Sequence, residues 1–145
     1  MGRILGIDYG RKRIGLAVTD PMKIFASPVK TVNAAELDSF LLDYVRSEEI
    51  DEFVVGYPVQ LNNRPSESVR YIDPFIEKLR KMFPDKPVHM VDERFTSQIA
   101  FRTMIDGGVK KKNRQDKSLV DRISASIILQ SFLDRRLNER KKKIK

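Results

Sequence analysis

Asp8 is the first residue whose type and position suggest chemistry. It ends an apolar stretch, Ile4–Asp8, which predicts a strand covered on both faces, and Gly10 follows two residues later. Alternation along the strand places Gly6 on the face of Asp8 and Leu5 on the opposite face. Since an aspartate in a buried strand is costly without a partner, we interpret Asp8 either as the start of a turn or as a metal ligand or general base.

A second acidic position, Asp92-Glu93, stands at the end of a strand predicted over residues 88–93. Adjacent residues of a strand face opposite ways, so only one of the two can point toward Asp8, and alternation alone leaves that choice open. A solvated strand end is the simplest interpretation of an isolated acidic pair. The carboxyl ends of strands are, however, where open α/β sheets bind their ligands.

Asp121 is the third acidic position. It falls on the apolar stripe of a predicted helix, in register with Ala125, and the small residues at 124–126 would let that helix approach the sheet closely. One interpretation is an ion pair with Arg122 or Lys117. Those two cations project elsewhere on the helix or lie in the preceding turn, so we favour a ligand role for Asp121.

Three carboxylates on two strands and a helix suit a hard divalent cation, Mg²⁺ or Mn²⁺. Two such ions about 4 Å apart could activate a water and stabilise the leaving oxygen at a phosphodiester. Cations recur beside each acid, and we expect them to bind nucleic acid. They are Arg11, Lys12, Arg13, Arg94, Lys110, Lys111, Lys112 and Arg114. Any one of these runs could be a solvated surface, but their recurrence beside all three acids favours a shared role.

Length and composition agree with a protein that binds a polyanion. The 145 residues are 41% hydrophobic and 33% charged, which predicts one globular domain over residues 1–138. The net charge of +8 favours nucleic acid as the partner, with residues 139–145 contributing as a basic tail. The chain contains no cysteine, which excludes disulfides and thiolate metal sites. Since no apolar run reaches membrane-spanning length or marks a signal peptide, we expect a cytoplasmic protein with no membrane partner.

Apolar periodicity predicts five strands, the first three in succession without a helix between them. The strands cover residues 4–8, 14–18, 24–32, 53–57 and 88–93. Such a meander excludes a wholly parallel sheet, and the later alternation of strands and helices predicts a mixed α/β fold.

Helical spacing begins after the third strand. The helices are predicted over residues 33–48, 66–83, 97–105 and 117–137. Asn33 and Glu36 predict a capping box for the first of them. Pro74 is expected to distort or split the second.

Four segments, in order from the first strand to the last helix, resemble the motifs of one protein family. They are Gly6–Gly10 with Lys12–Asp20, Val54–Pro58, Asp92–Ser97 and Val120–Gln130. Together they resemble the YqgF/RuvX family, whose members are similar to Holliday junction resolvases and have an RNase H-like fold. The resemblance implies a mixed five-stranded sheet, antiparallel at first and then parallel, flanked by helices.

The resemblance also implies a site and an activity. It assigns the catalytic, metal-binding acids to Asp8, Glu93 and Asp121, and so favours Glu93 over Asp92. It implies a Mg²⁺-dependent nuclease, a hydrolase acting on ester bonds, linked to maturation of the precursor of 16S rRNA. The alternatives are a Holliday junction resolvase acting on four-way DNA as a dimer, a nucleotide-binding protein similar to the actin and sugar-kinase ATPases, and a nucleic-acid-binding module without catalysis.

The sequence also gives expectations about the substrate, the oligomeric state and a possible fourth acid. RNA is the favoured substrate and a monomer the favoured state, because the predicted helices leave no apolar stripe for a self-complementary dimer interface. The related junction resolvases use four acids, and Asp116, Asp92 and Asp20 are the candidates for a fourth here. His89 is expected to pack rather than catalyse, while Tyr9 either stacks on a base or packs.

Overall fold

A computed structural model describes residues 2–57, 69–92 and 117–144 of the chain. The strands are β1 (Arg3–Tyr9), β2 (Arg13–Thr19), β3 (Ala26–Asn33), β4 (Ile50–Tyr57) and β5 (Val88–Asp92). The helices are α1 (Leu37–Glu48), α2 (Val69–Met82) and α3 (Lys117–Ile144), and a 3-10 turn at Ala34–Glu36 precedes α1. The helix predicted over residues 97–105 lies outside the described ranges.

The five strands form one sheet in the order β3-β2-β1-β4-β5. β1 pairs antiparallel with β2, and β2 with β3, whereas β4 runs parallel to both β1 and β5. This meander followed by parallel strands confirms the predicted mixed sheet. β1 takes the central place because it is apolar on both faces, which suits a strand covered above and below.

Alternation within β1 divides the core into two layers. Leu5 and Ile7 are buried on one face, in the cluster that α1 and α2 complete. Ile4 is buried on the other face, where it packs in a cluster with Ala125 of α3. The same alternation puts Asp8 on the α3 face of the sheet, opposite Leu5 as predicted.

Two glycines let α3 lie close to the sheet. A Cβ added to Gly6 would stand 2.9 Å from the Cβ of Leu129, and one added to Gly15 would stand 2.0 Å from the backbone oxygen of Asp121. Non-bonded atoms do not approach so closely, so a side chain at either glycine would push α3 outward. Ala125 is fully buried at this contact, in keeping with the small residues predicted in this part of the helix.

The capping box predicted at the start of the first helix is wrong. The side chain of Asn33 makes no capping hydrogen bond, and the 3-10 turn stands between it and α1. The backbone N–H of Ala34 donates instead to the carbonyl of Lys12, 3.0 Å away. This bond to a distant segment satisfies one of the first backbone N–H groups of the turn, which have no partner within a helix.

Both longer helices are more continuous than predicted. α2 passes through Pro74 without a break. α3 ends at Ile144 instead of near Leu137, so the segment predicted as a basic tail is helical through that residue. Lysine and arginine are good helix formers, and positive charge is favourable at a helix C-terminus. No helix in the described ranges combines the length and apolar character that a membrane span requires.

Candidate active site

Asp8 lies near the carboxyl end of the central strand. It pairs across the β1–β2 ladder with Gly15, and residues paired in this way point to the same face of the sheet. Its side chain is half-buried. The chain turns tightly just beyond it, because a Cβ on Gly10 would stand 2.5 Å from the backbone oxygen of Arg13. Asp8 is therefore held by a rigid hairpin next to a position that has no side chain.

Asp121 reaches the same place from α3. Its backbone oxygen lies over Gly15, so α3 crosses the sheet directly above the residue paired with Asp8. The start of α3 is fixed by Thr31, which also pairs with Gly15 and whose Oγ1 donates to the carbonyl of Ser118 at 2.6 Å. The structure thus brings together two of the three predicted acids from opposite ends of the chain.

Asp121 forms an ion pair with Arg13. Arg13 Nε donates to Asp121 Oδ2 at 2.7 Å, and the side chains are 40% and 23% exposed, respectively. The sequence left an ion pair open as one interpretation of Asp121, but the structure shows Arg13 as the partner rather than Arg122 or Lys117. Arg13, predicted to bind nucleic acid, contacts a carboxylate of the site.

Asp92 faces a different part of the molecule. In β5, Val91 is buried in the layer beneath α3, and the ring of His89 lies 4.8 Å from that of Phe132 in α3. Asp92 follows in the alternation and lines an open cavity of about 560 Å³ beside α2, together with Asp73. By alternation, Asp92 thus lies on the face of β5 away from α3, whereas His89 is packed against an aromatic ring, as predicted.

Several predicted site residues lie outside the ranges that the structure describes. They are Glu93, Arg94, Lys110, Lys111, Lys112, Arg114 and Asp116. Their assignments stay predictions.

Asp20 is not a fourth acid of the site. It follows β2 at the end of the sheet opposite Asp8, because β1 and β2 are antiparallel. Its carboxylate accepts hydrogen bonds from the backbone N–H groups of Met22, Ile24 and Phe25, at 3.0, 2.8 and 2.7 Å. These bonds, that from Phe25 above all, hold the pKa of Asp20 below its ordinary value. The carboxylate of Asp20 therefore stabilises the loop between β2 and β3, which accounts for an aspartate directly after β2.

Two further predicted cations, Arg11 and Lys12, are exposed at the tip of the β1–β2 hairpin. The Cζ of Arg11 lies 4.2 Å from the ring centroid of Tyr71 in α2. Tyr9 stacks on Phe75, with 4.4 Å between ring centroids and 15° between planes. The structure therefore favours packing over base stacking for Tyr9.

Sequence reasoning misses a charged network at the other end of the sheet. Glu52 of β4 accepts hydrogen bonds from Arg136 of α3 at 2.7 and 3.1 Å, and its Oε1 lies 2.9 Å from His89 Nε2. Lys23 Nζ lies 3.5 Å from Glu52 Oε2. Arg136 above all lowers the pKa of Glu52 to about 2. A signal existed, because Arg136 falls four residues after Phe132 on the apolar stripe of the last helix.

Asp8 and Asp121 give the site oxygen donors with a guanidinium beside them. Carboxylate oxygens suit Mg²⁺ or Mn²⁺ better than softer ions. Among the described residues, no group of three candidate side chains has the arrangement of a metal site. Asp8 and Asp121 are two carboxylates on the α3 face of the sheet, and their role as metal ligands stays a prediction.

Comparison with known proteins places this arrangement in a family. The chain matches the family model "RuvX: Holliday junction resolvase" over residues 2–135. A protein of Phocaeicola vulgatus is 55% identical over 134 residues, covering 92% of this chain and 96% of the relative. One of Porphyromonas gingivalis is also 55% identical over 134 residues, covering 92% of this chain and 97% of the relative. Both carry the name "Putative pre-16S rRNA nuclease".

Solved structures agree at the level of the fold. Thermus thermophilus RuvC superposes with a TM-score of 0.57 at 14% identity, covering 94% of this chain and 96% of that one. RuvC from the same organism in complex with a Holliday junction substrate gives a TM-score of 0.55 at 16% identity, with the same coverage. RuvC has an RNase H-like fold, which confirms that expectation for the mixed sheet described above. The family match and the relatives at 55% identity establish that the chain belongs to the RuvX family.

Proposed function

We propose that this protein is a metal-dependent nuclease that hydrolyses phosphodiester bonds in the precursor of 16S rRNA. The observation that carries the proposal is the meeting of Asp8 and Asp121 across Gly15. The name of the curated relatives supports RNA as the substrate, and the family description supports chemistry at phosphodiesters. The net charge of +8 supports a polyanionic substrate.

The proposed metal ligands are Asp8, Asp121 and Glu93, which would hold Mg²⁺ or Mn²⁺. Val91 borders the same cavity as Asp92 but is buried beneath α3, and neighbours in a strand alternate, so residue 93 would follow Val91 rather than Asp92. This alternation supports Glu93 as the acid directed toward the other two. When bound, the metal would lower the pKa of an attacking water and offset the charge that develops on the leaving oxygen.

Arg13 has a supporting role in this proposal. Its N–H fixes one oxygen of Asp121, and a charge-assisted bond of 2.7 Å sets the orientation of that carboxylate. Its positive charge also reduces the repulsion between acids held close together. Lys12, the preceding residue, is exposed and would contact a phosphate of the substrate.

A Holliday junction resolvase is the alternative, and the family description favours it. Junction resolution requires two symmetric cuts, and therefore a dimer with a self-complementary interface. The large apolar residues exposed in the described ranges lie on separate elements, except for Met22, Ile24 and Phe25, which share one loop. That loop is at the end of the sheet opposite Asp8, so a dimer formed through it would hold the two acid sites far apart. We therefore favour a monomer that acts on RNA.

Matched cleavage assays separate the two functions. A fragment of precursor 16S rRNA and a four-way DNA junction are each incubated with the protein in Mg²⁺ and in excess EDTA, and sedimentation reports the assembly state. The variant Asp8→Asn, purified in parallel, controls for contaminating nucleases. We expect a monomer that cuts the RNA only with metal present. Paired symmetric nicks in the junction by a stable dimer, with the RNA intact, would favour the resolvase, and full cleavage in EDTA would contradict metal dependence.

A further inference from the structure

Two aromatic contacts join the hairpin tip, Gly10–Lys12, to α2. Tyr9, just before the tip, stacks on Phe75 at 4.4 Å, and Arg11 within the tip lies 4.2 Å from the centre of the Tyr71 ring. Tyr71 and Phe75 are four residues apart and share one face of the helix. The segment that directly follows the candidate acid Asp8 is therefore held against a single face of α2.

The two contacts differ in burial. Phe75 is 6% exposed and belongs to the core, so its contact with Tyr9 is sufficient to hold the hairpin in place. Tyr71 is 37% exposed, and Arg11 is exposed as well. An exposed cation–π contact contributes little to stability. Tyr71 and Arg11 thus form an accessible aromatic and cationic surface that the fold itself does not require.

Arg11 is exposed, and the described residues leave its hydrogen-bonding edge accessible to a ligand. In the described part of the chain, no carboxylate lies within ion-pair distance of its guanidinium. Arg136 also lies over a ring, 4.5 Å from the centre of Phe132, but it uses its N–H groups on Glu52. An arginine over a ring can still donate from its edge to a phosphate, and no carboxylate of the described residues occupies that edge in Arg11.

The position of this surface relates it to the acids. Arg11 follows Asp8 by three residues, so their Cα atoms are at most about 11 Å apart. Stacked bases rise about 3.4 Å per step, so this distance corresponds to a few nucleotides. Arg13, on the other side of the hairpin tip, reaches Asp121 on the α3 face. A strand crossing the tip could therefore contact the acids on one side and Tyr71 on the other.

We infer that Tyr71 and Arg11 bind an unpaired nucleotide of the substrate close to the scissile phosphate. The base stacks on the surface formed by the ring and the guanidinium, and the edge of Arg11 donates to a phosphate. This inference rests on the proposed nuclease function and deepens it, because it requires the substrate to be single-stranded at that point. A base inside a duplex has both faces covered and cannot stack there.

Binding of labelled oligoribonucleotides, followed by fluorescence anisotropy in EDTA so that no cleavage occurs, tests the inference. Tyr71→Leu should weaken binding of a single strand roughly 5- to 150-fold, the range expected from losing one base–aromatic stack, and should leave a duplex of the same sequence within about twofold. Tyr71→Phe keeps the ring and should bind as the unmodified protein does. Phe25→Leu, which alters an exposed aromatic residue in the loop far from Asp8, is the matched control.

A second variant controls for loss of folding in Tyr71→Leu. A modified probe controls for whether the lost contact is the stacked base. Arg11→Gln, a change at an exposed position, should also weaken single-strand binding without lowering the melting temperature. A probe with an abasic site at the stacked nucleotide should bind equally to the unmodified protein and to Tyr71→Leu. Unchanged single-strand binding in Tyr71→Leu, or an equal loss with single strand and duplex, would overturn the inference.

Together with the cleavage assay described above, these binding experiments distinguish this inference from the nuclease proposal. If Tyr71→Leu selectively loses single-strand binding but the unmodified protein cuts no RNA, the nucleotide site is supported and the proposed nuclease function is contradicted. If the protein cuts RNA but its single-strand binding does not depend on Tyr71, the proposed nuclease function stands and the nucleotide site is contradicted.

Discussion

Arg13 Nε lies 2.7 Å from Asp121 Oδ2, so a guanidinium bonds the carboxylate that a metal ion would need. The position of Gly15 explains why Arg13 and Asp121 are in contact. Arg13 lies two residues before Gly15 in β2, and Asp121 lies over Gly15 in α3. The bond has two opposing effects. It orients the carboxylate, and it also occupies an oxygen for which a metal ion competes.

We predict that competition is the larger effect. Arg13→Gln should tighten Mg²⁺ binding by about two- to fivefold, because a partly exposed ion pair contributes up to about 1 kcal/mol that the metal no longer has to displace. Lys12→Gln is the matched control, since it removes the same charge one residue away. Isothermal titration with Mg²⁺ measures both variants. Weaker binding in Arg13→Gln than in Lys12→Gln would show that Arg13 chiefly orients Asp121.

The acids themselves should be indispensable for cleavage. Asp8→Asn, Asp121→Asn and Glu93→Gln are each expected to slow RNA hydrolysis by at least about 100-fold, because each removes a carboxylate that would hold the metal at the transition state. Asp92→Asn should retain nearly full activity, since Asp92 lines the cavity beside α2. Single-turnover rates measure the effect, and thermal melts confirm folding. Loss of activity in Asp92→Asn with activity kept in Glu93→Gln would reverse the assignment.

Glu52 should make the stability of the fold depend on acid pH. Its pKa in the folded protein is about 2, below the ordinary value of 4.5, chiefly because Arg136 donates to the carboxylate. The ionised group therefore stabilises the fold fully above about pH 4.5, and that contribution is lost as the pH falls from 4.5 toward 2. At pH 7, Glu52→Gln should lower the free energy of unfolding by roughly 1.5–3 kcal/mol, the contribution of hydrogen bonds to charged groups.

Urea denaturation at a series of pH values tests this prediction. Between pH 4.5 and 2 the unmodified protein should lose stability more steeply than Glu52→Gln. Glu36→Gln, at an exposed position of the 3-10 turn, should follow the unmodified protein. Parallel curves for the unmodified protein and Glu52→Gln would contradict the assignment.

Basic residues late in the chain should contribute to affinity without contributing to sequence preference. Deleting residues 141–145 is expected to weaken nucleic-acid binding uniformly and to lower the salt slope by roughly 0.7 to 0.9 per lost phosphate contact. Neutralising Lys110, Lys111 and Lys112 together should do more damage, because they precede Asp121 in the chain. Filter binding over a salt series gives the slopes. Slopes unchanged by both edits would mark these residues as solvated surface.

Alternation along the strands was the most informative part of the sequence. It placed Asp8 on the face opposite Leu5, and the structure agrees, because alternation follows from the backbone itself. The five strands were predictable because each apolar run must be covered. Their mixed directions were predictable because three successive strands without a helix between them form a meander. Asp121 was recognisable because a carboxylate interrupts an apolar helical stripe.

Contacts between distant segments were not predictable. Arg13 and Asp121 are 108 residues apart, and no local pattern separates Arg13 from Arg11 as the partner of that acid. The bond from Ala34 to Lys12 likewise joins two distant segments, and no local pattern predicts it. Asp20 resembled a site acid until the fold placed it at the far end of the sheet.

The order of the residues along the chain determines when this candidate site can be completed during synthesis. Asp8 and Arg13 belong to a hairpin that is synthesised early, whereas Asp121 arrives with the last helix, after the rest of the sheet. Domains generally fold as units during synthesis, so this single domain cannot fold completely until its last helix has left the ribosome. Until then the chain does not have Asp121 in its place over Gly15, and so lacks an acid that hydrolysis would need. A nuclease proposed to cut ribosomal RNA would thus stay inert beside the ribosome that is making it.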